Sequence, residues 1–323
     1  MTDDIPDDIL VRHDLQTVAF YNVENLFDIH DNKRTHDNDY LPASVKRWTY
    51  KRYQNKLRKL GFAISNIGKN ETGKHPAIVG LAEVESAVAI KDLLSSKHLE
   101  HLNYGYVHYD SLDERGIDVA LLYDKNAFKL QHSESFRVYL ANENGTPDYT
   151  RDILLVSGWL DGEKIHVIVN HWSSRHEGLE ETEPKRLAAA DKVSEIMNTL
   201  AQTCEDPKII VIGDFNDDPS SNSIRKLVKT QNLYNPMDVL HTYSRGTSTH
   251  RFKWNLFDQI LFTTNFFEAT PNTLSFDKAE IFDDDFLKLS HGKHKGKPFR
   301  TYIGPKYQGG YSDHFPVYAI FKK

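Results

Sequence analysis

The chain alternates apolar runs of strand length with longer segments whose apolar residues recur every three or four positions. Continuous apolar runs of this kind are typical of strands buried on both faces. Asp161-Gly162 separates two of the runs and predicts a hairpin turn between them. The predicted strands are 15–22, 77–84, 116–123, 136–140, 151–160, 164–172, 208–213, 256–262 and 315–321.

Two segments have the apolar spacing of amphipathic helices. Ser44 is the predicted cap of the first, in which apolar residues recur at Leu57, Leu60, Ile64 and Ile67. Thr182, with Pro184 in the first turn, opens the second, whose apolar face is Leu187, Ala190, Val193, Met197 and Leu200. Because hairpins and helical crossovers are mixed, we expect an α/β fold with two packed mixed sheets and the helices outside.

Length and composition narrow the class of protein. A chain of 323 residues with 39% hydrophobic and 27% charged residues can bury its own core and is not of disordered type. The single cysteine, Cys204, excludes an internal disulfide and a metal site built on cysteines. No apolar run approaches the roughly 18 residues that a membrane span needs. We therefore expect a soluble globular protein, without a sequence signal for a protein partner and monomeric.

The amino terminus differs in charge from the rest of the chain. Residues 1–14 carry several aspartates where a signal peptide would have basic residues followed by an apolar stretch. We expect this acidic segment to be poorly ordered, residues 15–323 to form one domain, and the protein to be cytoplasmic.

Polar side chains stand at or beside the ends of several predicted strands. A carboxylate at the end of a buried strand is costly unless it is paired, hydrogen-bonded or bound to a cation. One such residue is common in turns and helix caps, whereas several strand ends together predict a site at one edge of the core. The residues are Glu83, Asn170, His171, Asp214, Asn216, Asp258, Asp313 and His314.

The residue types in this set limit the chemistry. Carboxylate and amide oxygens without cysteine favour Mg²⁺, or Mn²⁺, over zinc. Two histidines suit acid/base catalysis or the stabilisation of developing negative charge. No serine lies in a G-x-S-x-G elbow, so nucleophilic serine catalysis has no support. Metal-assisted attack of water on a phosphorus centre agrees best with this composition.

Six stretches carry a resemblance to a known family. In its motifs the chain resembles the endonuclease/exonuclease/phosphatase superfamily, which includes deoxyribonuclease I, abasic-site endonucleases, inositol polyphosphate phosphatases and neutral sphingomyelinases. The resemblance implies a four-layer α/β/β/α sandwich with its site at one end of the two sheets. The stretches are Phe20–Asp28, Leu81–Glu85, Arg115–Tyr123, Asn170–Arg175, Gly213–Asp217 and Ser312–Val317.

The resemblance also implies roles for individual residues. Glu83 matches the principal metal ligand, and Asn22 and Asp313 match residues beside the metal. Asp214 matches the acid that activates the attacking water, with Asn216 next to it.

The two histidines match residues that face the phosphate. His314 is paired with Asp258 in the family pattern, and His171 is the second such histidine. For the acid that orients His171 we select Asp118, with Glu114 as the alternative.

Three further residues are candidates for substrate binding. Asn170 lies next to His171, and Arg115 and Arg175 lie near other site residues and could clamp a phosphate with the guanidinium fork. Exposed salt bridges are the alternative interpretation for both arginines.

The resemblance leaves the substrate open. The leading hypothesis is a nuclease, an endonuclease that cleaves DNA or RNA; the alternative is a phosphatase or phosphodiesterase acting on inositol-phosphate or lipid-derived esters. A non-catalytic binding module is the third hypothesis. The net charge of −6 restricts nucleic-acid contact to local basic clusters, at 46–59 and 288–300. A solvated helix face is the alternative interpretation for 46–59.

Overall fold

The computed structural model describes residues 11–33, 35–142, 144–268 and 270–323. Most of the acidic segment predicted at 1–14 therefore lies outside the described residues. Its last residues contact the folded part, because the amide of Arg12 donates to the carbonyl of Thr72 and the amide of Lys323 donates to that of Asp14.

The helices and strands follow each other in chain order with short connections. Up to residue 124 they are β1 (Leu15–Leu26), α1 (Tyr50–Asn66), α2 (Lys69–Thr72), β2 (Ile78–Val84), α3 (Ala87–Leu94), β3 (Tyr104–His108) and β4 (Asp118–Asp124). The middle part contains β5 (Phe128–Phe136), β6 (Leu140–Ala141), β7 (Pro147–Asp148), β8 (Ile153–Leu160), β9 (Glu163–His171), α4 (Leu179–Thr203), β10 (Ile209–Asp214) and α5 (Asn222–Thr230). The last part contains β11 (Leu233–Tyr234), β12 (Ser248–His250), β13 (Lys253–Asn255), β14 (Asp258–Thr263), β15 (Ser275–Ile281), β16 (Tyr302–Ile303), β17 (Lys306–Tyr307) and β18 (Val317–Lys322). Single 3₁₀ turns lie at Asn38–Tyr40, Pro236–Val239, Thr264–Phe267 and Asp285–Leu287.

The strands form two sheets of six and three small ribbons. The first sheet has the order β15-β18-β1-β2-β4-β3, and the second has the order β11-β14-β10-β9-β8-β5. Within them β1 and β2 are parallel, and so are β9 and β10, while the other neighbouring strands are antiparallel. The prediction of two mixed sheets is confirmed.

The alternation of side chains along the second sheet produces four layers. Ile168, Val211 and Leu261 face outward and pack with α4 and α5 in one apolar cluster. Their strand neighbours, such as Ile212, belong to a second cluster that contains the first sheet, α1 and α3. The sheets approach closely, since a Cβ atom at Gly80 would lie 2.6 Å from the Cδ1 of Ile212. The molecule is therefore an α/β/β/α sandwich.

The hairpin prediction is confirmed in detail. Asp161 and Gly162 both have positive φ, of 48° and 80°, as a type I′ turn requires. They join β8 to β9, which pair in register up to Leu160 and Glu163.

Both predicted helix starts were wrong, as was one strand. α1 begins at Tyr50 because the Ser44 hydroxyl donates to backbone carbonyls of the preceding turn and does not cap the helix. α4 begins at Leu179, one turn before Pro184. The strand predicted at 136–140 is β5, which ends at Phe136. It lies at the sheet edge and is polar and half-exposed, so it lacks the apolar run of a buried strand.

Among the described residues, no helix combines the length and the apolar character that crossing a membrane requires.

Candidate active site

Three predicted site residues form a row across the second sheet. His171 on β9 and Asp258 on β14 are the register partners of Asp214 on β10, one on each side. Because side chains along a strand alternate between faces, Asp214 continues the inward-facing row of Ile210 and Ile212. The three polar residues therefore end the apolar rows of the inter-sheet core.

The first sheet faces this row with an amide and a carboxylate. The Asn22 side chain donates to Oδ2 of Asp214 over 2.9 Å and so joins the two sheets. Glu83 lies at a bulge, where the pairing of β2 with β4 shifts, and has a φ of 65°. A positive φ is rare for glutamate and marks a strained position of the kind found at active sites. The backbone amide of Asn25 fixes the Glu83 carboxylate at 2.8 Å.

His314 enters from the loop before β18. Its Nδ1 lies 2.6 Å from Oδ2 of Asp258, and its backbone amide donates to the Ser312 hydroxyl. That hydroxyl in turn donates to the carbonyl of Asn22. One donor atom each of Asp214, Asp258 and His314 lies within 4.8 Å of the others. The structure thus brings together acids and imidazoles that are far apart in the sequence.

Burial and neighbouring charges give the central groups different protonation states. Burial raises the pKa of Asp214 to about 6, with the charge of His314 acting against the rise. Burial alone would lower the pKa of His314, but Asp258 and Asp214 raise it well above the usual value. Burial, together with Arg151 and Arg115, lowers the pKa of His171 well below its usual value. At neutral pH the site therefore holds one imidazolium, one neutral imidazole and a carboxylate able to accept a proton.

A second charged network, which sequence reasoning missed, supports Asp313. Arg300 donates to the carboxylate of Asp313 and lies 3.7 Å from that of Glu24. Glu24 is buried, accepts from the amide of Thr301 and lies 3.9 Å from the buried ammonium of Lys56. Its position two residues after Asn22 on the same strand was the available sequence signal.

These charges shift pKa values in opposite directions. Burial raises the pKa of Glu24 to about 7. Burial would also raise the pKa of Asp313, but the positive charges of His314, Arg300 and Lys56 hold it below its usual value.

Some predicted residues are occupied by contacts within the protein. The Asn170 side chain is fully buried and bonds to the carbonyls of Ile168 and Ile212 and to the indole of Trp172. Arg175 forms salt bridges to Asp217 and Asp218, as its alternative interpretation predicts.

Arg115 and Asn216 lie beside the central residues. Arg115 is half-exposed, donates to the Asn25 side chain and has its Nη2 3.8 Å from Oε1 of Glu83. The amide of Asn216 donates to Oδ1 of Asp214 and orients that carboxylate.

The predicted partner of His171 lies in other contacts. The Asp118 carboxylate accepts from the amide of Ser111 and lies 3.4 Å from Nε2 of His108. Glu114, the alternative, is exposed. Within the part of the chain that the structure describes, Nδ1 of His171 is buried without a hydrogen-bond partner, and Asp214, 3.8 Å from Nε2, is the acid nearest to this ring in an ion-pair contact.

The loop that follows Asp214 is held by a buried ion pair. Asp217 is almost fully buried and lies 2.8 Å from Nε of Arg186, which is completely inaccessible to solvent. The same carboxylate accepts from the Ser223 hydroxyl and binds Arg175. Asp217 therefore positions the segment that carries Asp214 and Asn216.

We expect Asp217→Ala to destabilise the protein by about 3–5 kcal/mol, since it leaves the buried charge of Arg186 uncompensated. Asp191→Ala, which removes the exposed partner of Lys226, is the matched control and should cost less than about 1 kcal/mol. Urea unfolding measures both free energies. Equal values for the two variants would show that Asp217 has no such role.

The donor set agrees with a divalent metal of hard character. Glu83, Asn22 and Asp313 offer carboxylate and amide oxygens, as predicted, and Mg²⁺ and Mn²⁺ prefer such ligands. Among the described residues, Oδ1 of Asp258 is buried without a hydrogen-bond partner, so the cluster contains negative charge that protein groups do not fully compensate. These residues could hold a cation between the two sheets.

The predicted basic clusters have different environments. In 46–59, Lys56 is buried, Arg52 lies over the ring of Tyr307, and Lys59 lies over Phe299. These residues bind the segment around β16 and β17. In 288–300, Lys297 lies 4.1 Å from the ring centre of Phe252, whose side chain is 66% exposed. Only the second cluster presents a basic group on an open aromatic surface.

Comparison with known proteins identifies the family and the fold. The model of the Endonuclease/Exonuclease/phosphatase family matches residues 17–323. A mannosyl-6-phosphatase from Bacteroides thetaiotaomicron VPI-5482 has a similar structure, with 17% sequence identity, a TM-score of 0.56 and coverage of 95% of this chain and 100% of that chain. TDP2 from D. rerio in complex with single-strand DNA product has 14% identity, a TM-score of 0.57 and coverage of 96% and 99%. The human Nocturnin catalytic domain with bound sulfate has 17% identity, a TM-score of 0.57 and coverage of 97% and 96%. No curated protein matches the chain.

Proposed function

Because this chain belongs to the endonuclease/exonuclease/phosphatase family, whose members are metal-dependent hydrolases of phosphoesters, we propose that it is a magnesium-dependent nuclease that cleaves DNA or RNA. The observation that carries the proposal is the row of His171, Asp214 and Asp258 with His314 at one end of both sheets. It combines a base, a neutral donor and a positive charge in one place, as hydrolysis by water requires.

Each residue of the row has a step in the proposed reaction. Asp214, with a pKa of about 6, takes a proton from the attacking water as its oxygen bonds to phosphorus and the bond to the leaving oxygen breaks. Neutral His171 donates a hydrogen bond to a phosphate oxygen, and charged His314 stabilises the negative charge that accumulates there. A divalent cation held by Glu83, with Asn22 and Asp313, would supply further positive charge at the phosphate.

An exposed aromatic surface next to the site supports a nucleic-acid substrate. The hairpin of β12 and β13 starts at the site, because Ser248 forms a backbone bridge with His314. Phe252 at the hairpin tip stacks on His294 with ring centres 5.5 Å apart, and Lys297 lies over its ring. An open aromatic face beside a cation suits stacking of an unpaired base and contact with its phosphate.

A second candidate is a phosphatase or phosphodiesterase for small or lipid-derived esters. It is favoured by the net charge of −6 and by the engagement of the 46–59 basic residues within the protein. Such a substrate needs few contacts outside the row.

Incubation with plasmid DNA, single-stranded RNA and an inositol phosphate, each with Mg²⁺, Mn²⁺ or EDTA, tests the proposal. We expect cleavage of a nucleic acid that requires metal and weakens steeply with salt, since counterions are released on binding. Faster hydrolysis of the inositol phosphate would favour the second candidate. The absence of turnover on every ester would indicate a binding module.

Phe252→Ala should raise KM for single-stranded DNA about tenfold, because stacking on one aromatic ring is worth about 1–3 kcal/mol per base. Hydrolysis of bis(p-nitrophenyl) phosphate, which does not reach the hairpin tip, should be unchanged. Phe267→Ala is the matched control, because Phe267 is half-exposed and follows the far end of β14 from Asp258. Equal KM values for the two variants would remove this surface from the substrate site.

A further inference from the structure

A second cluster of possible metal ligands lies at the adjoining ends of β3 and β4. We propose that His108, Asp110 and Asp118 bind a second divalent cation of the Zn²⁺ or Mn²⁺ type, apart from the cation of the row. Each residue offers one donor atom, and these atoms lie within 4.8 Å of one another. The proposal concerns residues outside the catalytic row and does not depend on the substrate.

The distance between His108 and Asp118 suits a shared ion better than a hydrogen bond. Nε2 of His108 lies 3.4 Å from Oδ2 of Asp118 and forms no hydrogen bond to it. Two ligands about 2.1 Å from one tetrahedral ion are separated by about 3.4 Å. The other oxygen of Asp118 accepts from the amide of Ser111, which fixes the carboxylate and leaves Oδ2 available.

The burial of His108 gives an independent reason to expect a ligand. Its side chain is only 3% exposed, and among the described residues its Nε2 is buried without a hydrogen-bond partner. Leaving such a nitrogen unpaired is costly, and most buried polar atoms in proteins are satisfied. A cation at Nε2 would remove this cost.

The surroundings of the cluster carry an excess of negative charge. Asp152 is buried near Asp118, and Arg137 is its cationic partner, at 3.7 Å. Asp110 adds an exposed carboxylate 3.7 Å from Nδ1 of His108. An imidazole combined with carboxylates favours Zn²⁺ or Mn²⁺ over Mg²⁺.

A cavity connects the cluster to solvent. It has a volume of about 870 Å³, and its lining includes Asp110, Ser111, Asp118 and Glu85. Water can enter it to complete the coordination of an ion. A bound cation would also fix the segment that carries Arg115, whose guanidinium lies beside Glu83.

Metal binding by purified full-length variants tests the proposal. After treatment with EDTA and its removal, the wild-type chain and Glu83→Gln should each bind one more equivalent of Zn²⁺ than His108→Gln, measured by calorimetry and by elemental analysis after gel filtration. Zn²⁺ should raise Tm of the first two proteins and leave Tm of His108→Gln unchanged.

Asp110→Asn keeps the experiment decisive if His108→Gln fails to fold, because Asp110 is exposed. It should weaken Zn²⁺ binding at this site at least tenfold. If the folded variants bind as many equivalents of Zn²⁺ as the wild type with equal affinity, the cluster is an ion-pair network of a protonated histidine, and the proposal is wrong. Cleavage assays are not involved, so this outcome is separate from the failure of the proposed nuclease.

Discussion

Asp214→Asn is expected to lower kcat by about 10⁴-fold and at the same time to raise Tm at pH 8. The loss follows from removal of the proposed base, whose contribution is typically 10²–10⁴-fold. The asparagine side chain has nearly the same shape and can still accept from the Asn216 amide, as the carboxylate does over 2.9 Å. The geometry of the row should therefore survive while its chemistry is lost.

The expected gain in stability follows from the pKa of Asp214. The folded value of about 6 lies above the ordinary value of about 3.9, so the folded state binds the proton more tightly than the unfolded state. The stabilising contribution of the protonated form is complete below about pH 4 and is lost as the pH rises through 6. At pH 8 the buried carboxylate is charged and destabilises the fold, whereas asparagine carries no charge.

Thermal unfolding in EDTA at pH 5 and pH 8, with phosphodiesterase assays in Mg²⁺, measures both effects. Asp191→Asn, at an exposed ion pair, is the control and should change neither quantity appreciably. A variant of Asp214 that kept near-normal activity would contradict its assignment as the base. The two effects together would show that the site is organised for reaction at a cost in stability.

The central row could be predicted from the sequence because it lies at the ends of strands. Asp214 directly ends an apolar run, and His171 and Asp258 stand at the ends of two more. The period of two along a strand places such residues on the same face as the apolar residues two positions away. Hydrophobic periodicity therefore determined both the core and the place of the polar residues.

The supporting contacts could not be predicted, because they depend on loop conformation. Arg175 is close to the site in sequence, yet its guanidinium reaches Asp217 and Asp218. Asp118 begins a strand at the site edge, but the loop before it presents Ser111 and brings His108 near. Nothing in the spacing of these residues distinguishes a phosphate contact from a salt bridge.

The edge strand β5 illustrates the same limit for the fold. Its sequence is polar, because at the edge of the sheet most of its side chains face solvent in part. Pairing with β8 stabilises it through backbone hydrogen bonds, which any residue but proline can make. Apolar runs therefore identify the central strands and miss edge strands of this kind.

Asp258→Asn is expected to convert the pH profile of the nuclease from a plateau into a bell. Asp258 lies 2.6 Å from Nδ1 of His314 and, with Asp214, raises the pKa of that imidazole well above its usual value. In the wild type, activity should be lost as the pH falls below about 6, where Asp214 takes up a proton, and should stay level above neutrality. Without the Asp258 charge, burial lowers the pKa of His314, and an alkaline limb should appear.

The same substitution should move the acid limb. Asp258 helps to raise the pKa of Asp214, so its loss should shift that limb to lower pH. At pH 8 kcat should fall by about 10²–10³-fold, the usual effect of losing one stabilising charge or donor. Profiles of kcat and of kcat/KM on a single-stranded oligonucleotide in Mg²⁺ measure these changes.

His314→Gln provides the matched control for this pair. It should lower kcat by a similar factor at every pH and show no alkaline limb, because the group that titrates is gone. A bell for Asp258→Asn beside a plateau for His314→Gln identifies Asp258 as the residue that keeps His314 charged. If Asp258→Asn retains a plateau above neutrality, Asp258 only holds the ring in place, and the positive charge at His314 must depend on Asp214 and Asp313 instead.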